Sequence, residues 1–284
     1  MKNTALLFFT VLFLSFCSAQ QKENTTVRYK TESGVSEKRH SLDVYPASGT
    51  GRPVIIFVHG GGWLLGDKDN KIEQKVETFQ NLDYVLVSVN YRLSSFFSKK
   101  TQFPDHPNDV ADAVLWTFKN IEKYGGDKNR IVLMGHSAGA QMVSLLGTSD
   151  DFLPQRGIQL NDIKGVISLD TEGYDVHGLG VENVNIYRRI FGDDPEKWKE
   201  ASPVYQVKSG KKYPPFLIAF RGEPYREEMA RNFADKLRST GSKAETFSAE
   251  PYSHFEVNNK FGEKGESVVT PKVMEFLKKV FIDQ

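Results

Sequence analysis

Cysteine is all but absent from this 284-residue chain. Cys17 is the single one, and it lies inside the N-terminal apolar stretch. A chain cut behind that stretch has no thiol, which excludes disulfides and cysteine nucleophiles and leaves a packed core to hold the fold. An excess of one charge is lacking too: 37 basic against 36 acidic residues give a formal net charge of +1. That is no footprint for nucleic acid, and Lys208-Ser209-Gly210-Lys211-Lys212 reads as a solvated loop. There is no H-E-x-x-H and no Cys/His cluster, so metal-dependent hydrolysis has little support. Behind the amino terminus no apolar run is long enough to cross a bilayer, and neither an internal repeat nor a low-complexity segment is present.

The amino terminus has the layout of a secretory signal. Met1-Lys2-Asn3 carries a positive charge, Ala5 to Phe16 is compact and apolar, and Cys17-Ser18-Ala19 supplies small residues before the polar Gln20-Gln21-Lys22-Glu23. Cleavage after Ala19 is expected, hence an exported protein. Leu14-Ser15-Phe16-Cys17 has some likeness to a lipoprotein box, but bulky Phe16 stands where a small residue is usual, which weighs against lipidation of Cys17. Residues 20–39 read as a polar segment with a flexible start, and 40–284 as one domain.

Two glycine-rich turns dominate what remains. Gly135-His136-Ser137-Ala138-Gly139 is a G-x-S-x-G pentapeptide between the apolar run Ile131–Met134 and the helix-like run Ala140–Leu146. A serine on such a sharp strand-to-helix turn presents its hydroxyl at the carboxyl edge of a sheet. The glycines are required where strand and helix pass too closely for side chains. The N–H of Ala138 opens the helix and can stabilise a developing oxyanion. Upstream, His59-Gly60-Gly61-Gly62-Trp63 follows the apolar run Val54–Val58. Consecutive glycines there let backbone N–H groups, those of Gly61 and Gly62 above all, turn toward one point and supply the other half of an oxyanion hole. Trp63 and His136 flank these turns and are expected to meet substrate or to brace its pocket.

Along the chain, short apolar runs alternate with helix-like segments. Strands are expected at His40–Tyr45, Val54–Val58, Val85–Val89, Arg130–Met134, Val166–Leu169, Phe216–Phe220 and Ala244–Phe247. Helices are expected at Lys71–Gln80, Pro104–Lys123, Glu227–Ser239 and Val268–Phe281. The runs are continuously apolar, as in strands buried on both faces, so the fold class is α/β: a mostly parallel sheet with helices on both sides. The segment 171–213, with Tyr174, Tyr187, Phe191 and Trp198, is the one long interruption. It reads as an insertion over the sheet edge that caps or walls a pocket.

With these motifs the chain resembles the α/β-hydrolases of the hormone-sensitive-lipase-like esterase and arylformamidase (BD-FAE-like) group, from about Asp43 to the end. The resemblance is carried by His59–Trp63 with Gly66-Asp67-Lys68, by Asn90-Tyr91-Arg92-Leu93, and by Tyr124-Gly125-Gly126-Asp127 leading into the Gly135–Gly139 turn. It implies a Ser/His/Asp triad, two-step acyl transfer on small esters or amides, and neither metal nor organic cofactor. Asn90, Tyr91 and Arg92 are expected to be structural.

In α/β-hydrolases the order along the chain is serine, acid, histidine. His254, just behind the last strand, is then the base for Ser137. Of the other histidines, His59 belongs to the glycine turn, His40 precedes the sheet, and His106 opens a helix in a solvated or capping role; His177 sits in the insertion and can reach substrate. The acid is ambiguous. Its usual place is the loop after Phe216–Phe220, which reads Arg221-Gly222-Glu223-Pro224-Tyr225-Arg226, with Tyr225 where an aspartate is usual. Asp170, at the end of the preceding strand, is the first candidate; Glu223 is the alternative, and Asp175 a weaker one. The expected function is a serine carboxylic-ester hydrolase with a small-molecule ester as partner. The alternatives are an arylformamidase or other small amide hydrolase, and a non-catalytic binding protein with an impaired triad.

Overall fold

The computed structural model describes residues 24–182 and 184–282. The expected signal, its expected cleavage point at Ala19 and Cys17 fall outside them. Eight strands form one sheet in the order β1-β2-β4-β3-β5-β6-β7-β8. They are β1 Thr25–Arg28, β2 Ser41–Tyr45, β3 Arg52–Val58, β4 Val85–Val89, β5 Gly126–His136, β6 Ile163–Leu169, β7 Phe216–Phe220 and β8 Ala244–Ser248. β1 and β2 join antiparallel, and every pairing from β4 to β8 is parallel.

The continuously apolar runs have the cause expected of them. Side chains alternate across a strand, and both faces are covered. In β3, Val54, Ile56 and Val58 point into one core and Ile55 and Phe57 into the other; in β5, Ile131 and Leu133 oppose Val132 and Met134. The first core is closed by α2 (Asp105–Asn120), α3 (Ala138–Leu146) and α8 (Pro224–Arg238). The second is closed by α1 (Glu73–Asn81), α9 (His254–Asn259) and α10 (Thr270–Phe281). Between β6 and β7, the 171–213 segment folds into the short helices α4 (Val176–Glu182), α5 (Val184–Phe191), α6 (Pro195–Glu200) and α7 (Pro203–Gln206). Tyr174, Tyr187, Phe191 and Trp198 are buried there in the first core.

Element ends differ from expectation for local reasons. Lys71 has φ 53°, so α1 cannot start there and begins at Glu73. Pro224 occupies the first turn of α8 and Pro271 that of α10, positions where the missing N–H costs nothing. The helix from Pro104 gives way at Ile121 to a 3-10 turn that Gly125 (φ 87°) ends. The polar 20–39 segment also holds more order than expected. β-branched Thr25, Thr26 and Val27 pair with β2, and the Tyr29 hydroxyl donates to the Asn90 carbonyl at 2.8 Å.

Candidate active site

The site grows from the turn that links β5 to α3. Ser137 is held at φ 55°, ψ −119°, a strained backbone that no ordinary strand-to-helix joint requires. The flanking glycines explain how the strain is accommodated. A Cβ on Gly135 would stand 2.3 Å from the Gly139 carbonyl oxygen, and one on Gly139 would stand 2.1 Å from that of Val58. The glycine turn after β3 lies directly alongside: a Cβ on Gly60 would meet Cβ of Ser137 at 2.9 Å. Gly61 (φ 112°) and Gly62 (φ 58°) adopt left-handed backbone that favours glycine.

β6 and β8 bring the partners. His254 is the first residue of α9, behind a reciprocal cap in which Ser253 and Glu256 satisfy each other's amides. Its Nε2 is 2.8 Å from Oγ of Ser137 and its Nδ1 is 2.6 Å from Oδ2 of Asp170. A neutral imidazole that donates from Nδ1 presents Nε2 to the serine as an acceptor. Asp170 itself sits at φ 49°, at the end of β6. Burial would raise its pKa, but the hydrogen bond from His254 and the charge of Arg226 outweigh that and hold it at about 2.

His136 braces the arrangement. Its Nε2–H donates to the His254 carbonyl at 2.8 Å, and the two rings lie 4.6 Å apart. Burial pushes its pKa down to about 3, so it stays neutral. His59 is likewise neutral: its Nδ1–H donates to the Gly60 carbonyl at 2.7 Å, its ring stacks on Tyr91 at 4.4 Å, and burial lowers its pKa to about 4. A cavity of about 710 Å³ opens at Ser137 and His254, lined also by Gly60, Gly61, Gly62, His136 and the exposed Leu65 and Phe255.

Other expectations land elsewhere. Trp63 does not line this cavity: its indole donates to Gln141 at 3.3 Å and packs edge-on against Phe191 in the core. No described residue of the 171–213 insertion lines the cavity either; the wall comes from residues 65–73 and 255–259. Glu223 is exposed at the N-cap of α8, away from the bond that Asp170 makes to His254. Asp175 accepts from the Gly178 amide. His177 stacks edge-on against Tyr205 at 5.9 Å. His106 is not solvated but buried, 3.0 Å from Ser94 Oγ, with its pKa lowered by burial to about 3.

Glu32, His40 and Asp109 lie close enough to suggest a cation site among the described residues. Protein cations already fill it. Arg92 reaches Asp109 with Nε and its second terminal nitrogen, each at 2.8 Å, and Glu32 at 2.7 Å, while Lys30 reaches Glu32 at 2.8 Å. This agrees with the structural role expected of Arg92.

Two arginines that are absent from the expected site residues converge on Asp170. Arg221 Nε is 2.9 Å from Oδ2, and Arg226 is 2.9 Å from Oδ1. No local motif marks them, because Asp170 lies 51 and 56 positions away from them in the chain.

Sheet order, serine turn and histidine placement together define an α/β-hydrolase. The chain belongs to the BD-FAE family, whose family model matches residues 42–224. Among its relatives, esterase LipQ of Mycobacterium tuberculosis (strain ATCC 25618 / H37Rv) is 29% identical over 78% of this chain and 55% of that protein. Isoprenylcysteine alpha-carbonyl methylesterase ICME of Arabidopsis thaliana is 30% identical over 74% of this chain and 52% of that protein. The chain spans about half the length of these curated relatives. Native Est2, a thermophilic esterase from Thermogutta terrifontis, superposes with a TM-score of 0.71 at 23% identity over 91% of each chain, a likeness of fold.

Proposed function

We propose that this protein is an exported serine carboxylic-ester hydrolase acting on small or short-acyl esters, with Ser137 as nucleophile, His254 as base and Asp170 as acid. The observation that carries the reading is the unbroken hydrogen-bonded chain from Ser137 Oγ through His254 to Asp170 at the mouth of a cavity. In this reading Ser137 attacks the ester carbonyl carbon while His254 Nε2 takes the hydroxyl proton. Asp170 holds the imidazole in its tautomer and stabilises the imidazolium. The oxyanion settles against the N–H groups of Gly61, Gly62 and Ala138, each worth roughly 10²–10³ in rate. His254 returns the proton to the leaving alcohol, and water repeats the steps on the acyl-enzyme.

Glycines and the polar Asp69, Asn70, Lys71, Glu73, Asn258 and Asn259 share the cavity lining with the apolar Phe57, Leu65 and Phe255, and the surface they expose is mostly apolar, as suits the acyl part of an ester. The preference for short acyl groups rests on the likeness to the esterase group. Export rests on the signal-like residues 1–19.

The test is labelling by a fluorophosphonate probe together with hydrolysis of p-nitrophenyl esters of increasing acyl length. Wild type should label and turn over acetate fastest. Ser137→Ala should do neither while keeping its circular dichroism spectrum. Full esterase activity in Ser137→Ala sinks the mechanism. Faster cleavage of N-formylkynurenine or of a dipeptide amide would move the reading to amide hydrolysis, and an unreactive wild-type serine would make the protein a binder.

A further inference from the structure

A single acid–base pair explains only one oxygen of Asp170. The side chain is 1% exposed, and both oxygens are engaged: Oδ2 by His254 and Arg221, Oδ1 by Arg226. The guanidinium of Arg226 continues outward, donating to Glu172 at 2.7 Å. Glu172 also accepts from the hydroxyls of Tyr225 at 3.0 Å and of Tyr187, on α5, at 2.9 Å. A relay of alternating charge therefore runs from the insertion to the serine: Glu172, Arg226, Asp170, His254, Ser137.

We propose that Arg226 is a positioning residue for the reaction, which locks the Asp170 carboxylate toward His254 and sets how readily His254 takes the proton, with Glu172 as its counter-charge. The inference rests on the reading of Ser137, His254 and Asp170 as the reacting triad. Two physical points carry it. A carboxylate held at one oxygen can pivot about its bond to Cβ; a charge-assisted bond to the second oxygen removes that freedom. And an anion beside an imidazole raises its proton affinity, so a cation on that anion must lower it again.

Arg226 suits this better than Arg221. It takes the oxygen that His254 leaves, it is 12% exposed against 23% for Arg221, and Glu172 anchors its far side. Screening by solvent is weaker for the more buried cation. The other polar or charged neighbours of His254 do not replace it. Ser137 is uncharged, His136 is kept neutral by burial, and the charge of Lys75 acts on the His136 ring, whose proton affinity it helps to lower.

The test is the pH dependence of kcat/KM for p-nitrophenyl acetate, whose acid limb reports the free enzyme's base, in the full-length protein and its variants. Arg226→Gln should move that limb up by about 0.5–1 pH unit and lower the plateau on the order of 10-fold. Arg226→Lys keeps the charge but loses the fork, so it should hold the limb near the wild-type position. Glu172→Gln removes the counter-charge and should move the limb the other way. If Arg226→Gln does not fold, the downward displacement in Glu172→Gln decides alone. Limbs that stay in place, or that move together, overturn the inference, as does a Lys variant no different from Gln. Asp170→Asn separates the layers: retained activity there defeats the triad itself, whereas lost activity with unmoved limbs defeats only the role of Arg226.

Discussion

Asp170 and His254 stand 84 positions apart in the chain, yet Oδ2 of one lies 2.6 Å from Nδ1 of the other. In the proposed triad the acid therefore comes from the end of β6, next to the serine-bearing strand, and not from the loop after β7. Asp170→Asn should lower kcat by about 10³–10⁴ by favouring the wrong imidazole tautomer, with the fold intact by circular dichroism. Glu223→Gln, at an exposed cap, should stay within about twofold of wild type, since surface changes of this kind are nearly neutral. Steady-state rates on p-nitrophenyl acetate read both; the reverse ranking would return the acid to Glu223.

The buried histidines make the protein sensitive to acid. Burial lowers His59 to about 4, and His106 and His136 to about 3, from 6.5. As pH falls through 6.5 the unfolded chain takes up protons that the folded chain refuses until near 3 or 4. Stability from these groups is therefore complete above 6.5 and is lost as pH falls toward 4, by up to about 1.4 kcal/mol per pH unit for each. Urea unfolding at pH 7, 6, 5 and 4 should show this loss, and His106→Gln should flatten the slope by about one proton. An unchanged slope in that variant would mean that His106 titrates normally.

What was legible in the sequence follows from how local each signal is. The buried strands Val85–Val89 and Phe216–Phe220 could be read residue for residue, because a strand covered on both faces is almost wholly apolar; the exception, Ser88, is satisfied by donating to the Lys68 carbonyl. Ser137 and His254 were legible because a turn motif and a position behind the last strand each mark one place. The acid was legible only as a choice among Asp170, Glu223 and Asp175: carboxylates near strand ends look alike until register shows which one reaches the imidazole. Trp63 misled because its neighbour Gly62 does line the cavity, while its own side chain turns back into the core. Arg226 was invisible for a similar reason. Its meaning lies in Asp170 and Glu172, more than fifty residues away.

Gly139 makes the close passage of α3 over β3 testable. Its missing side chain leaves room for the carbonyls of Val58 and His59, which a Cβ would approach to 2.1 and 2.7 Å. Both contacts are backbone, so nothing can rotate aside. Gly139→Ala should destabilise by at least about 3 kcal/mol, at the upper end of overpacking costs, and should displace the adjoining glycine turn, so that the residual folded protein loses activity as well. Thermal melts with parallel esterase assays measure both. A variant with wild-type stability would show that α3 stands further from β3 than these distances require.

Lys75 is the least expected buried group. It is wholly buried in α1, its ammonium donating to the carbonyls of Lys71 at 3.1 Å and Asn258 at 2.8 Å, 5.0 Å from the centre of the Phe57 ring. Burial pushes its pKa from 10.5 down to about 7. Between those values the unfolded chain holds a proton that the folded chain has released, so stability from this group rises with pH across the window and the burial penalty is full below 7. Lys75→Met keeps the shape and drops the charge. The variant's stability relative to wild type should be highest below pH 7 and should decline by a few kcal/mol on the way to pH 10, on the order of 1.4 kcal/mol for each unit of the window. Guanidinium unfolding at pH 6, 8 and 10 reads the difference directly. A difference that does not change with pH would mean that the ammonium keeps its ordinary proton affinity in the folded protein, with the Lys71 and Asn258 carbonyls and the Phe57 face offsetting its loss of water.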